Sequence, residues 1–495
     1  MTVSGQHYHF IGICGTAMGA VAAAMKDRGF VITGSDAGVY EPMASFLRGK
    51  GIEIIEGFRA ENIPAGADVI VIGNAISRGN PECEEVLNRR LLYTSLPELL
   101  KHQFLRGKRN YVVTGTHGKT TTTSLLTWLL ESAGRDPSFM IGGVTRNFGQ
   151  GGRFTDSEFT VLEGDEYDTA FFDKRSKFVH YLPECVIVNN LEYDHADIFP
   201  DLQSIQLSFN RMLRLVPGNG LVLVNGDDTN ALAATRENRA AMMTACPAPL
   251  RTVGTGAHCD HRIADIAFAA TGMTFTLDGV PFAVPMDGEI NVRNAAMAVA
   301  AARFAGLRDE EIREGLAGFL GVARRQTVRG VTAGGVTVID DFGHHPTAIR
   351  ETAEALRRRH VPAGARLWAL FEPRSNTTKR NVFQRELARA LATADGVILS
   401  EVFEPHKVPE GDRLDVAALV AEVRGAHDRP CFVEPDANAI VVRLAPLVRR
   451  GDVVVVFSNG GFGGIHEKLL RLEAPENREH ASANSRERAA AVAGS

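Results

Sequence analysis

"VVTGTHGKTTTTSLLTWLL", residues 112–130, joins an apolar run to a helical one through Gly115-Thr116-His117-Gly118-Lys119-Thr120. The full phosphate-loop pattern is GxxxxGK[ST]; here the first glycine stands closer to the lysine, and the chemistry survives the shortening. Val112 and Val113 read as a buried strand. Gly118 lets the backbone curl around phosphate oxygens, Lys119 is a compact cation for β/γ-phosphates, and Thr120 offers a hydroxyl to Mg²⁺. The helix that opens with the threonines adds the positive end of its dipole. A glycine turn carrying an exposed lysine is the bland alternative. The apolar strand and helix on either side favour a nucleotide triphosphate, with Lys119 expected to face the surface.

The rest of the chain sets bounds on that reading. Its 495 residues exceed one hydrophobic core and suggest about three domains. A hydrophobic fraction of 44%, 23% charged residues and a formal charge of −5 describe an ordinary globular protein, with no hint of a nucleic-acid or acidic-membrane partner. Cys14, Cys83, Cys185, Cys246, Cys259 and Cys431 form no CxxC pairs, so their spacing indicates neither a zinc site nor a disulfide framework. No apolar run approaches the roughly 20 residues of a membrane span, and no signal peptide is apparent. The expected location is the cytoplasm.

Before the lysine motif, residues 8–13 read as a strand, 18–25 as a helix and 30–33 as a second strand leading to Asp36. Strand, glycine turn, helix, strand and acid make the doubly wound nucleotide-binding pattern. The glycines fall at Gly12, Gly15 and Gly19, which is not GxGxxG. Such a loop can still aim backbone N–H groups at a diphosphate. A strand over 67–77 ends in polar residues from Asn74 to Ser77, at the edge where such sheets bind ligands. A basic break at 105–110 separates this segment from the next. A second boundary is expected near 321–330. Beyond it, strands at 331–340, 365–371, 396–400 and 453–457 alternate with helices at 348–358, 384–392 and 416–423, which implies a third α/β domain. From about Glu473 the chain is polar and reads as a disordered tail.

Two acidic clusters follow the lysine. Glu163 ends an apolar strand at 159–162, a usual place for a carboxylate that reaches metal; Asp165, Glu166 and Asp168 beside it can be read as a solvated turn. A strand at 185–188 delivers Asn189, Asn190, Glu192, Asp194, His195 and Asp197 to its end, where His195 is a candidate metal or phosphate ligand. A helix at 291–306 presents Ala and Met to the core.

The stretches GTHGKTT (115–121), EGDEYD (163–168), NNLEYDHAD (189–197), DDFGHHP (340–346) and GICGTAMG…GSD (12–36) resemble the Mur ligase family. The resemblance spans about residues 7–472 and implies a three-domain α/β architecture of ATP-dependent amide-forming enzymes. It divides the chain into a Rossmann-like UDP-sugar domain (1–107), a P-loop ATP domain (108–327), an α/β C-terminal domain for the incoming amine (328–472) and the tail (473–495). Within the family, FFDKRSKFVHY, EPRSNT and SNGGFGGIHEKLL resemble members that join the murein tripeptide L-alanyl-γ-D-glutamyl-meso-diaminopimelate to UDP-N-acetylmuramate in peptidoglycan recycling.

That resemblance assigns roles by position. ATP would contact Gly115, Thr116, His117, Gly118, Lys119, Thr120, Thr121, Asn291, Asn294, Arg324, Asp341 and His345. Mg²⁺ would be held by Thr120, Glu163 and His195, and catalysis would rest on Lys119, Glu163, His195 and Arg324. The UDP-sugar would meet Gly15, Thr16, Met18, Ser35, Asp36, Asn74, Ala75 and Ile76. The peptide would meet Lys174, Arg175, Arg374, Ser375, Asn376 and Asn459. The implied protein is a monomer. Three positions depart from the family: Ile290 replaces the histidine of HNxxN, Ala323 replaces the glycine before the phosphate arginine, and no lysine occurs between Lys177 and Lys379 to be carbamylated. The rival readings are a ligase adding L-alanine to the same sugar, an NAD-dependent oxidoreductase using Asp36, and a non-enzymatic P-loop module.

Overall fold

The structure is a computed structural model and describes residues 5–39, 43–241, 248–427 and 429–472. The expected tail at 473–495 lies outside the described residues. By compactness the chain forms two units. One holds residues 1–193, 198–285 and 291–322; the other holds 194–197, 286–290 and the chain from 323 onward.

The first unit contains two sheets. The N-terminal sheet has five parallel strands in the order Glu53–Glu56, Val31–Asp36, His7–Ile11, Val69–Ile72, Tyr93–Ser95. Val69–Ile72 is buried along its whole length, as a central parallel strand must be when helices cover both faces. The strand order reverses beside His7–Ile11, so the loops after it and after Val69–Ile72 flank the crevice where doubly wound sheets take ligands. Gly34 allows the close packing here: a Cβ would lie 2.7 Å from the Phe10 carbonyl oxygen.

The second sheet has ten strands. Its parallel core runs Leu250–Gly254, Leu221–Asn225, Pro183–Val188, Arg109–Thr114, Phe159–Glu163, Ser138–Met140. The phosphate-loop strand is therefore central. Val113 pairs with Glu163 on one side and Thr114 with Val188 on the other, so Glu163 and Asn189 flank the loop. The basic break is shorter than expected, because Arg109 and Asn110 belong to the strand: Arg109 pairs with Glu184 at 2.7 Å, and Asn110 is buried. A half-exposed meander at His261–Phe268, Met273–Leu277 and Val280–Val284 finishes this sheet.

The second unit is built on six strands in the order Thr327–Val331, Thr337–Asp341, Val453–Phe457, Leu367–Phe371, Gly396–Ser400, Cys431–Glu434. The single strand expected at 331–340 is instead the turn and second arm of an antiparallel hairpin. The Thr-Ala-Gly-Gly sequence at 332–335 breaks it: Gly335 adopts φ 74°, and its N–H donates to Thr332 O at 2.9 Å. Helices Pro346–His360, Gln384–Leu391 and Val416–His427 alternate with the strands as the periodicity indicates.

Candidate active site

The helix Lys119–Ser132 starts directly from Gly118, whose φ of 77° is open to glycine and costly to other residues. A Cβ there would also collide with the Asn294 side chain. Asn294 is buried in the helix Glu289–Phe304 and accepts from Thr122 Oγ1 at 3.2 Å, while Asn189 Nδ2 donates to the same hydroxyl at 3.0 Å. Asn291 lies beside Asn294, accepting from its Nδ2 at 3.3 Å. These amides brace the loop from within the fold. Asn190 clamps its other flank, accepting from His117 N at 2.7 Å and donating to His117 O at 3.1 Å. The Thr116 hydroxyl accepts from Glu192 N at 2.8 Å.

Lys119 does not face the surface. Its Nζ donates to Gly115 O at 2.6 Å and to both Glu166 oxygens at 2.9 and 3.0 Å. The side chains are 14% and 3% exposed, so the pair is desolvated. Burial pushes the ammonium pKa down, but Glu166, Asp165 and Glu163 outweigh that and raise it, so Lys119 is charged. Asp165, in turn, pairs with Lys177 at 2.7 Å. Glu166 and Asp165 are thus counter-charges to two lysines and not a solvated turn.

Thr120 Oγ1 donates to Glu163 Oε1 at 3.0 Å, and Gly142 N donates to Glu163 Oε2 at 2.7 Å. A hydroxyl and a carboxylate side by side at the end of a phosphate loop are the hard oxygen donors that Mg²⁺ takes together with substrate phosphates. The donor set fits that ion. Gly142 and Gly143 were missed by sequence reasoning; they follow the short strand Ser138–Met140, and a Cβ on Gly143 would press Thr120 Cγ2 at 3.0 Å. A Gly-Gly pair after an apolar run was the available signal.

In the N-terminal sheet Asp36 pins the glycine turn, accepting from Cys14 N at 2.8 Å and Gly38 N at 3.3 Å. Ser35 donates to the fully buried Glu82, which also accepts from Asn62. Met18 and Ile76 are buried in the cores of this region, whereas Thr16, Asn74 and Ala75 are exposed, and Gly15 caps the helix Thr16–Asp27. Both Asp36 oxygens are thus engaged by backbone N–H groups.

Of the remaining candidates, all but Thr121, Lys174 and Arg175 lie in the second unit. Two of them, His195 (φ 55°) and Arg324 (φ 60°), occupy left-handed backbone that non-glycine residues adopt at a cost. His195 N donates to Asp194 Oδ1 at 2.7 Å and to Thr377 Oγ1 at 3.0 Å; the Thr377 hydroxyl donates to Asp194 at 2.6 Å. Burial pushes the Asp194 pKa up, but His195, His344 and His345 hold it well below the usual range. Arg324 donates to Ser458 O at 2.7 Å, Gly460 O at 2.8 Å and Asp340 Oδ1 at 3.3 Å. Asp341 accepts from Gln326 N and Gly343 N, and burial raises its pKa despite Arg325. His345 caps the helix Pro346–His360.

Of the peptide candidates, Arg374 stacks 3.8 Å over Phe403 and reaches Glu372 at 3.4 Å, next to Ser458 and Gly460 at the end of the Val453–Phe457 strand. Asn459 Oδ1 is buried there without a hydrogen-bond partner among the described residues. Ser375 bonds Thr378, and Asn376 donates to Asp197 at 2.8 Å. Lys174 and Arg175 belong to the first unit, 71% and 59% exposed, in surface pairs with Asp168 and Asp173.

Comparison with known proteins matches three successive stretches of the chain to family models. Residues 7–108 match the Mur ligase family, catalytic domain; 113–302 match the Mur ligase middle domain; 323–460 match the Mur ligase, glutamate ligase domain. The UDP-N-acetylmuramate–L-alanyl-γ-D-glutamyl-meso-2,6-diaminoheptandioate ligase of Escherichia coli (strain K12) is 42% identical over 93% of this chain and 97% of its own. A UDP-N-acetylmuramate–L-alanine ligase of Variovorax paradoxus (strain S110) is 32% identical, covering 95% of each chain. Among solved structures, a murein peptide ligase from Psychrobacter arcticus 273-4 superposes with a TM-score of 0.67 at 34% identity, covering 94% of this chain and 98% of that one.

Proposed function

This chain belongs to the Mur ligase family, and we propose that it is an ATP-dependent ligase joining L-alanyl-γ-D-glutamyl-meso-diaminopimelate to the carboxylate of UDP-N-acetylmuramate. The observation that carries the reading is the pair of contacts at the phosphate loop: buried Lys119 beside Glu166, and Thr120 beside Glu163. A carboxylate is not displaced by an amine at neutral pH, because oxide is a poor leaving group. Transfer of the γ-phosphate makes an acyl phosphate, and the amine then attacks its carbonyl with phosphate leaving. Such a reaction asks for charge neutralisation and positioning more than for a nucleophilic side chain.

Each residue then has a physical task. The N–H groups at the start of the Lys119–Ser132 helix and the Lys119 ammonium bind phosphate oxygens, with Glu166 yielding part of its hold on the lysine. Thr120, Glu163 and His195 would hold Mg²⁺, which neutralises charge on the phosphates when bound. Arg324 is already oriented by two carbonyls and serves the transferred phosphate. Asn291 and Asn294 keep the loop in register. The N-terminal sheet (1–107) takes the UDP-sugar, residues 108–327 take ATP, and the C-terminal domain (328–472) takes the peptide, with Arg374, Ser375, Asn376 and Asn459 at the end of its sheet. Among the described residues no helix is long and apolar enough to cross a membrane, and we place the reaction in the cytoplasm, where its nucleotide substrates are made.

The L-alanine reading shares the sugar and the ATP chemistry. Its relative is the less similar of the two ligases, at 32% against 42% identity, and it assigns no task to Arg374. Incubating the protein with ATP, Mg²⁺, UDP-N-acetylmuramate and either tripeptide or L-alanine, and measuring phosphate release, tests the choice. Release that depends on the tripeptide supports the proposal; release with alanine alone refutes it.

A further inference from the structure

A second constellation sits beside the phosphate loop's strand in the same sheet, after the strands that lie two and three places from Arg109–Thr114. Asp227 follows the strand Leu221–Asn225, and His258 and Cys259 follow the strand Leu250–Gly254. A carboxylate oxygen of Asp227, a ring nitrogen of His258 and the Cys259 thiol lie within 4.8 Å of one another. Nothing in the proposed ligase reaction uses them.

Three further observations bear on what they could hold. The His258 Nε2 lies 2.8 Å from Gly226 O; since a carbonyl only accepts, Nε2 carries the proton and Nδ1 keeps its lone pair. A backbone carbonyl that fixes the tautomer in this way is the usual support of a metal-ligating histidine. Asp227 is oriented by Thr255 N at 2.7 Å, Thr255 Oγ1 at 3.0 Å and Gly256 N at 3.0 Å, and Arg293 acts on it as well. Finally, each candidate ligand packs against a glycine. A Cβ on Gly226 would collide with Cys259 Sγ, one on Gly256 with the His258 ring, and one on Gly254 would sit 2.8 Å from the Asp227 carboxylate.

We infer that Asp227, His258 and Cys259 form a binding site for a zinc-class divalent cation. One thiolate, one imidazole and one carboxylate suit a borderline-soft ion and disfavour Mg²⁺, which prefers oxygen ligands. Three protein ligands leave a fourth position to water or an outside group. Asp227 and His258 are exposed, and the Cys259 side chain is buried behind them, so an ion reaches the site from solution through the carboxylate and the imidazole.

Cobalt(II) reports this chemistry directly, because a thiolate ligand adds an intense near-ultraviolet charge-transfer band. The chelator-stripped full-length protein should develop that band up to one equivalent of Co²⁺, lose it to Zn²⁺, and keep it under excess Mg²⁺. Cys259→Ser should abolish the band while melting temperature and ligase turnover stay unchanged. His258→Gln should weaken Co²⁺ binding by at least roughly tenfold. As a measurement that needs no cysteine variant, Zn²⁺ should slow alkylation of Cys259 in the unmodified protein and not in Asp227→Asn. Absence of the band in the unmodified protein, its survival in Cys259→Ser, or equal alkylation with and without Zn²⁺ would overturn the assignment.

Discussion

Lys119 and Glu166 form a desolvated ion pair at 2.9 Å, 47 residues apart in the chain and adjacent at the mouth of the phosphate loop. This pairing makes the lysine part of the fold as well as a phosphate ligand, and the two roles can be separated. Removing one partner of a buried pair leaves the other charge uncompensated, at a cost of about 3–5 kcal/mol. Lys119→Ala should therefore abolish turnover and lower the melting temperature together. The double variant Lys119→Ala/Glu166→Gln should recover most of the melting temperature and none of the activity. If the single variant keeps a tenth of normal phosphate release, the lysine is not the phosphate clamp.

Glu163 tests the proposed Mg²⁺ ligand set. Glu163→Gln keeps the size of the side chain and can still accept from Gly142 N, but loses the charge a divalent ion needs. Turnover should fall, and half-maximal activity should require more Mg²⁺, with the melting temperature unchanged. An identical Mg²⁺ dependence in steady-state assays would remove Glu163 from that set.

Arg374 separates a binding role from a packing one. Its guanidinium already stacks on Phe403 and reaches Glu372. A planar fork binds carboxylates bidentately and an ammonium does not, so Arg374→Lys should fail to rescue Arg374→Ala. Loss of the arginine should raise the tripeptide KM by a factor corresponding to roughly 2–5 kcal/mol, the scale of a desolvated charge pair. KM values for ATP and UDP-N-acetylmuramate should move little. Uniform weakening of all three substrates with a lower melting temperature would instead make Arg374 a brace for its loop.

His9 sets a pH dependence remote from the chemistry. It is fully buried, and burial together with the neighbouring His7 lowers its pKa from 6.5 to about 4. Between those values the unfolded chain binds a proton that the folded chain refuses, so stability rises with pH across that window. The contribution is complete above pH 6.5 and is lost as pH falls towards 4, by about 3 kcal/mol at most at 1.36 kcal/mol per unit. Urea unfolding of the protein at pH 7.5 and pH 5 should show that loss, and His9→Gln should flatten it. Equal pH sensitivity in the two proteins would acquit His9.

Much of this molecule is written locally. The strand, the glycine turn at Gly115–Gly118 and the helix after Lys119 lie within some twenty consecutive residues, and their periods and turn residues suffice to place a phosphate loop. The alternation of strands and helices beyond residue 340 is legible for the same reason. Where the signal is spread over a half-exposed surface, as in the meander at 261–284, no pattern stands out. Where glycines interrupt an apolar run, as at 332–335, one expected strand becomes a turn and the arm of a hairpin.

What the sequence could not decide is which distant groups meet. Thr120 and Glu163 are 43 residues apart, Lys119 and Glu166 are 47, and Asp227 and Cys259 lie on loops after two different strands. Spacing alone made the cysteines look inert and the acids after Glu163 look solvated. Parallel sheets collect the ends of non-consecutive strands along one edge, so strand order, and not distance along the chain, determines which carboxylate faces which cation. Side-chain type thus named the available chemistry, and the tertiary fold chose its partners, because a charge or a lone pair acts over a few ångströms of space wherever the chain has carried it.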